Sequence, residues 1–307
     1  MKKFFLLCAL CASGLTIHAD NGALSGKFKI NANGDQIVFS QGNLQYVGTW
    51  QFAESQWETI GSAQADNNRD LFGWGTGDAP NKISEDNNDY PAYEFVEWGA
   101  NPITNGGNKA NVWRTLTWFE WEYLFVKRDN AGSLCGFACV NGVNGVIILP
   151  DNWVLPVGSS FTAAAAQGFV LQGSIYTNAN GVNFAFHTYT GEQWEVMEGN
   201  GAVFLPCTGY RGGTDLYVHG EQGCYWSASA CDQDDSYGIR FNSTTLDPIY
   251  NYDRHYGFSV RLVKIAPKEE AINNTSVEMT ATKRIVEGQL LIEKNSKTYN
   301  AQGVEIR

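Results

Sequence analysis

The stretch Gly223–Phe241, GCYWSASACDQDDSYGIRF, decides how the chain is read. Tyr225 and Trp226 stand among small residues, a burst of carboxylates follows, and Tyr237, Ile239 and Phe241 then alternate. A period of two puts every second side chain on the same face of a sheet. The stretch therefore predicts two strands, Tyr225–Ser229 and Tyr237–Phe241, joined by a turn that Asp232, Asp234 and Asp235 cap. On this reading Trp226 is a core residue, and the carboxylates belong to the excursion between strands.

The same pattern spreads outward. Short strands are expected at Val146–Leu149, Val203–Leu205 and Phe258–Val263. In GKFKINANGDQIVFSQGNLQYV, Gly26–Val47, Phe28 and Ile30 alternate with lysines. Asn33-Gly34 is a hairpin turn signal, and Ile37 to Phe39 begin the return strand. Residues 66–102 are rich in Asn, Asp, Gly and Pro and read as long loops. One helix is clear in RTLTWFEWEYLFVKRDNAG, residues 114–132. Thr117 with Glu120 three positions on makes a capping box, Leu116 and Trp121 a hydrophobic staple. Trp118, Trp121, Leu124 and Phe125 then recur at helical spacing. Thr190 and Gln193 repeat the capping signature before a shorter helix that Gly199 ends. Aromatic residues make up 13% of the chain and glycine numbers 33, which suits short strands and turns more than helices. The expected fold class is α+β: few helices, short antiparallel strands and long loops.

The N-terminus reads as an export signal over residues 1–19. Lys2 and Lys3 precede an apolar run from Phe4 to Leu15. That run falls short of the roughly 20 residues that cross a bilayer, and no later segment reaches that length. The mature chain is expected to begin near Asp20, as one body over residues 20–265 with an upstream half, 20–111, and a core, 112–265. Residues 266–307 form a linker and a short β-rich tail. Within the tail, 285–292 (turning at Gly288) and 298–304 read as strands with too few core groups to fold alone.

Of seven cysteines, Cys8 and Cys11 fall in the signal. Cys135, Cys139, Cys207, Cys224 and Cys231 remain, an odd number whose pairing stays open. Zinc is not expected: Cys135-x3-Cys139 has no second pair, and His187, His219 and His255 stand singly. Residues 20–264 carry 13 Lys and Arg against 26 Asp and Glu, while the tail is balanced at six of each. That acidity excludes nucleic acid and anionic membrane surfaces as partners, and it is compatible with cations and neutral ligands such as sugars.

No constellation for catalysis stands out. GWGTGD, Gly73–Asp78, lacks the lysine of a phosphate loop, and no serine sits in a nucleophile elbow. Glu120 and Glu122 project about 100° apart on a helix. Glu120 belongs to the capping box, and Glu122 is expected to pair with a buried Arg261. No resident cofactor is expected. Calcium is the open case, because SEDNND (84–89) and DQDDS (232–236) offer loop oxygens, though without the spacing of a calcium loop.

Six segments occur in order between Trp113 and Val263: WRTLTWFEWEYLF, NGVNGVIILPDNW, GAVFLPCTGYRGG, GCYWSASA, YGIRF and YGFSVRLV. Together with VFSQGNLQYV, TWQFAESQWETIG and DLFGWGTG upstream, they resemble the Fibrobacter-type major paralogous (FISUMP) domain of exported Bacteroidetes-type proteins. The resemblance implies a C-type-lectin-like unit, related to formylglycine-generating enzymes. Those relatives use paired cysteines with copper. Cys224 and Cys231 occupy the comparable half of this chain, but without the relatives' arginine- and glycine-rich motif. Lectin calcium motifs are absent too. VEGQLLIEKNSKTYNAQGVEIR is similar to type IX secretion sorting segments, with Ser296 where a glycine is usual.

The expectation is an exported protein, extracellular, on the outer-membrane surface or periplasmic, acting as a non-catalytic binding module for glycan or protein. An oxidoreductase using Cys224 and Cys231 and a structural surface component are the alternatives. The candidate ligand residues are Tyr210, Arg211, Asp215 and Tyr217 in GYRGGTDLYVHG, with Asp232, Asp234 and Asp235; Tyr210 and Arg211 could equally brace their loop.

Overall fold

The structure, a computed structural model, describes residues 21–267, 282–286, 289–294, 297–300 and 304–306. The expected export signal, with Cys8 and Cys11, lies outside them, as do the turn at Gly288 and Ser296. The chain divides into two units, one ending at Ala266 and one beginning at Pro267.

In the first unit, β1 (Phe28–Lys29) and β2 (Gln36–Phe39) form the hairpin that Asn33-Gly34 signals, with Phe28 opposite Ile37. β3 (Leu44–Tyr46) and β4 (Trp50–Phe52) make a second small hairpin. Long connections follow to α1 (Trp118–Glu122), which runs on into a π-helical turn at Tyr123–Lys127. β5 (Cys135–Val140) pairs with β6 (Val143–Ile148), and β7 (Val170–Gln172) with β8 (Ile175–Thr177). After β9 (Thr188–Tyr189) and α2 (Gly191–Gly199) comes β10 (Val203–Pro206), which completes a sheet of order β10-β6-β5-β9. β11 (Tyr210–Gly212) and β12 (Asp215–Tyr217) stand as a separate hairpin. β13 (Gln222–Ala230), β14 (Asp235–Asn242) and β15 (Thr245–Asp253) then build the largest sheet, β13-β14-β15-β8-β7. β16 (Val263–Ile265) returns to β2. Apart from the parallel β5–β9 contact these pairings are antiparallel. The fold class is α+β, with few helices and several small sheets.

β13 separates two cores. Tyr225 points to one face, where it joins Ile239, Phe241, Trp121, Leu124, Phe125 and Phe137. Cys224 and Trp226 point to the other, with Phe72, Trp74, Trp98, Trp113 and Phe258. Trp226 is fully buried, stacked on Phe258 at 4.2 Å, and its indole N–H donates to the Phe72 carbonyl at 2.7 Å. A third cluster packs Trp194 and Met197 of α2 on Ile147 and Phe204.

Both capping boxes form as the sequence predicts, Thr117 with Glu120 and Thr190 with Gln193. Three expectations need correction. Trp118, the first helical residue, is only half-buried: it stacks on the exposed Phe119 at 3.6 Å and leans on Tyr237, while Trp121, Leu124 and Phe125 enter the core. Glu122 pairs with Lys127 at 3.5 Å and not with Arg261. Arg261, fully buried, reaches Gln56 at 2.8 Å and Asn43 at 3.4 Å. Residues 258–262 are not a regular strand; they thread between elements through bridges from Phe258 to Phe72 and from Ser259 to Tyr225.

The second unit is a four-stranded antiparallel meander: β17 (Thr282–Val286), β18 (Gln289–Lys294), β19 (Lys297–Tyr299) and β20 (Glu305–Ile306). Ile292 faces Tyr299 across one pair, and Lys297 bridges Glu305 at 3.0 Å. Among the described residues no helix is long and apolar enough to cross a membrane.

Candidate functional site

The β11–β12 hairpin brings the sequence candidates together and sorts them by face. Tyr210 lies opposite Tyr217, and the rings stack at 5.3 Å with 21° between planes. Asp215 and Tyr217, two apart on one strand, share the outward face, and Tyr217 is 44% exposed. Arg211 lies between these outward positions and turns inward, with its guanidinium buried. It donates to the carbonyls of Gly213 at 2.6 Å, Lys82 at 3.3 Å and Leu71 at 3.4 Å. Burial pulls its pKa down to about 10, with Tyr90 nearby opposing the shift. Arg211 thus braces the hairpin from beneath. Of the two roles open to it, the structure supports the structural one.

Two rings pack against Gly212. A Cβ there would come within 3.2 Å of Tyr217 and 3.5 Å of Tyr256, and its backbone is not left-handed. Immediately after the hairpin, Val218 does adopt a left-handed conformation, φ 45°. For a β-branched residue this is strained by roughly 1–3 kcal/mol. It is held because the Val218 carbonyl accepts from the N–H groups of Glu221 and Gln222.

β15 supplies the neighbouring rings. Tyr250 and Tyr252, two residues apart, project from one face, 4.6 Å between centroids. Tyr256, on the turn that follows, meets Tyr210 edge-on at 5.3 Å and Tyr252 at 5.8 Å. Phe258 underlies Tyr210 and Tyr252 from the core. Tyr210, Tyr217, Tyr250, Tyr252 and Tyr256 therefore form one continuous, partly exposed aromatic surface. Burial raises the Tyr210 hydroxyl above its ordinary pKa. Cations already meet this surface: the Arg240 guanidinium lies over the Tyr250 ring at 3.9 Å.

The acidic turn caps the β13–β14 connection as expected. One oxygen of Asp232 accepts from the backbone of Asp234 and of Asp235, both at 2.8 Å. These bonds, that of Asp235 first, hold its carboxyl below the usual range. Asp235 is raised by burial and by the charges of Asp253, Asp232 and Asp234. The loop 84–89 joins this turn through Asn87. Its amide donates to Asp253 at 2.7 Å and to the Asp234 carbonyl at 3.0 Å, and its oxygen accepts from the His255 backbone at 3.1 Å. Buried Arg254 ties the same pieces from inside, reaching the carbonyls of Gln233 and Asn87. The two acidic loops thus come together, yet among the described residues no three His, Cys, Asp or Glu side chains converge as a metal centre requires.

The cysteines are distributed differently. All five described cysteines are free thiols. Cys224 is buried, and burial pushes its thiol up to about 12. Cys231 lies beyond the other end of β13, seven residues further along an extended chain and so roughly 20 Å away. Cys224 and Cys231 are therefore not brought together; the thiol near Cys224 is that of Cys207, which burial and then Cys224 push up. Cys135, likewise buried, is raised to about 12.

Sequence reasoning found Tyr210, Asp215, Tyr217 and the acidic turn, but not Tyr250, Tyr252, Tyr256, Gly212 or Asn87. The run YNYDRHYG, residues 250–257, carried a signal in its tyrosines at period two. One family model, described as a domain of unknown function (DUF8237), matches residues 190–263, the segment from α2 into β16 that holds the whole aromatic surface. No curated protein and no solved structure matches the chain.

Proposed function

We propose that this is an exported, non-catalytic binding module whose ligand, a glycan or a protein, lies across the tyrosine surface of β11, β12 and β15. The carrying observation is the group of five partly exposed tyrosines, fixed by ring contacts of 4.6–6.1 Å and braced from below by Arg211. Aromatic rings give contact area at little entropic loss, and preorganised loops reduce the ordering that binding demands. Strain at Val218 beside the rings is of the kind that collects at ligand sites. The C-type-lectin-like fold and the surface or extracellular location belong to this proposal, on the six ordered segments that resemble the FISUMP domain and on the N-terminal charge and apolar pattern.

The oxidoreductase alternative draws no support from a buried Cys224 and a remote Cys231. A purely structural role would leave the tyrosine surface idle. The test is binding to arrayed neutral and charged polysaccharides and to cell-surface protein extracts, with and without a chelator. Wild type should bind, Tyr217→Ala should lose at least about tenfold in affinity, and chelation should change nothing. Binding that Tyr217→Ala leaves intact refutes the proposed surface.

A further inference from the structure

The run from Asn152 to Gly191 holds no Asp, Glu, Lys or Arg, although the body it belongs to carries 13 basic against 26 acidic residues over 20–264. Within it Val154, Leu155, Val157, Val170, Leu171 and Phe186 stand exposed. The run is fixed along β5. Gln167 accepts from the Phe137 N–H at 2.8 Å and donates to the Phe137 carbonyl at 2.7 Å. Phe169 stacks on the Phe137 ring at 4.2 Å, and Phe184 meets that ring edge-on at 6.0 Å. Val170 and Phe186, 59% and 80% exposed, therefore emerge from an anchored patch. β7, within this run, is the open edge of the sheet β13-β14-β15-β8-β7. Gln172 pairs with Ile175 across the two-residue loop Gly173-Ser174, so this pair and Val170–Thr177 carry the hydrogen bonds to β8. Leu171, between them, turns its N–H and C=O away from β8. The strand has no lysine, proline or bulge, the devices that blunt an edge. Where a charge does approach, at Ser174, it is Glu122, already paired with Lys127.

We propose that this edge pairs with a second copy of the chain, β7 running antiparallel to the partner's β7 about a two-fold axis at Leu171. The outward N–H and C=O of Leu171 then meet those of the partner's Leu171, donor to acceptor in both directions, as a hydrogen-bonded antiparallel pair requires. Two observations select a second copy. One donor and one acceptor turned outward on a single residue complement themselves under a two-fold axis. Bodies of like net charge also approach most easily through a charge-free face, and this run supplies one. The axis of such a pair stands perpendicular to the sheet, so the two five-stranded sheets join and each face continues across. Tyr250 and Tyr252 lie on β15, two strands in from β7. Both tyrosine surfaces would then face the same way and hold a ligand of repeated units at two points. The pairing itself does not depend on what the tyrosines bind.

The experiment is sedimentation equilibrium of the full chain from about 1 to 200 µM, at low and at physiological salt. Wild type should pass from monomer to dimer, and more readily as salt screens the like charges. Leu171→Pro removes the outward N–H and leaves the β8 pairings in place, so it should weaken the dimer at least about tenfold. Val170→Lys, which puts a charge on the edge, should weaken it by about as much. Tyr93→Lys, at a ring that is also exposed but outside the run, should stay within about twofold. Near-ultraviolet circular dichroism checks that each variant is folded. Should Leu171→Pro fail to fold, Val170→Lys and amide exchange carry the test: the Leu171 amide should exchange at least about tenfold more slowly in the wild-type dimer than in the monomer. A wild type that stays monomeric overturns the inference. So does a dimer that Leu171→Pro and Val170→Lys leave intact, or one in which the Leu171 amide is no slower. Wild-type monomer that binds phosphatidylcholine vesicles, and loses them with Val170→Lys, would give the face to lipid and overturn it as well.

Discussion

Replacing Gln56 with leucine removes four hydrogen bonds from one fully buried side chain while nearly keeping its volume. The Gln56 amide donates to Glu198 at 2.8 Å and to the Ala202 carbonyl at 3.2 Å. Its oxygen accepts from the Phe204 backbone at 2.7 Å and from Arg261 at 2.8 Å. Among the described residues no carboxylate bonds Arg261 directly; burial pulls it down to about 10, with Tyr225 and Glu198 nearby opposing the shift. Leucine orphans a buried N–H, worth roughly 1–3 kcal/mol, and takes the shortest acceptor from a buried guanidinium, worth roughly 1.5–3 kcal/mol. The expected loss is about 4 kcal/mol, nearly a thousandfold in the folding constant. Urea unfolding followed by tryptophan fluorescence measures it. Arg261→Met tests the mechanism, because removing the cation as well should relieve part of the damage. The double variant should be at least about 1 kcal/mol more stable than the sum of the single changes implies. A loss for Gln56→Leu under about 1 kcal/mol, or strict additivity, would refute the view that Gln56 solvates a buried charge.

Asp70 offers a pH test. Burial raises its carboxyl from 3.8 to about 6, against hydrogen bonds from Ile60 and Gln64. Folding therefore favours the protonated form; stability is full below about pH 4 and falls as pH rises through about 6. Between pH 4 and 8, Asp70→Asn should gain on wild type by up to roughly 3 kcal/mol in urea unfolding, and a gap that is flat with pH contradicts the assignment. Thiol labelling should discriminate the cysteines: Cys139 and Cys231 react with maleimide in the native protein, whereas Cys135, Cys207 and Cys224 label only in denaturant. Native labelling of Cys224 on the same timescale as Cys231 would show that β13 is not packed as described. Arg211→Met should free three carbonyls and speed amide exchange across residues 210–217, with exchange in β5 and β6 unchanged. Unaltered exchange there would remove Arg211 as the brace.

The elements legible in the sequence were those whose cause is local. Asn33-Gly34 turned the first hairpin, Thr117 with Glu120 and Thr190 with Gln193 started the helices, and the alternation of Tyr225, Ile239 and Phe241 set strands and buried faces. Each depends on residues a few positions apart, where backbone geometry alone links side chain to consequence. The partners of buried charge were not legible. Arg261 found Gln56 and not Glu122, because the choice was made by segments 205 positions apart that meet only when the sheets pack. The aromatic surface divides in the same way. By itself the sequence determined that Tyr210, Asp215 and Tyr217 share one loop-like stretch not far before an acidic turn; that this stretch pairs as a hairpin was decided by the fold. Only the tertiary structure decided that Arg211 turns inward, that Tyr250 and Tyr252 arrive from β15 and Tyr256 from the turn after it, and that the Tyr217 and Tyr256 rings close on Gly212, since each is a contact between chain segments whose positions no local rule fixes.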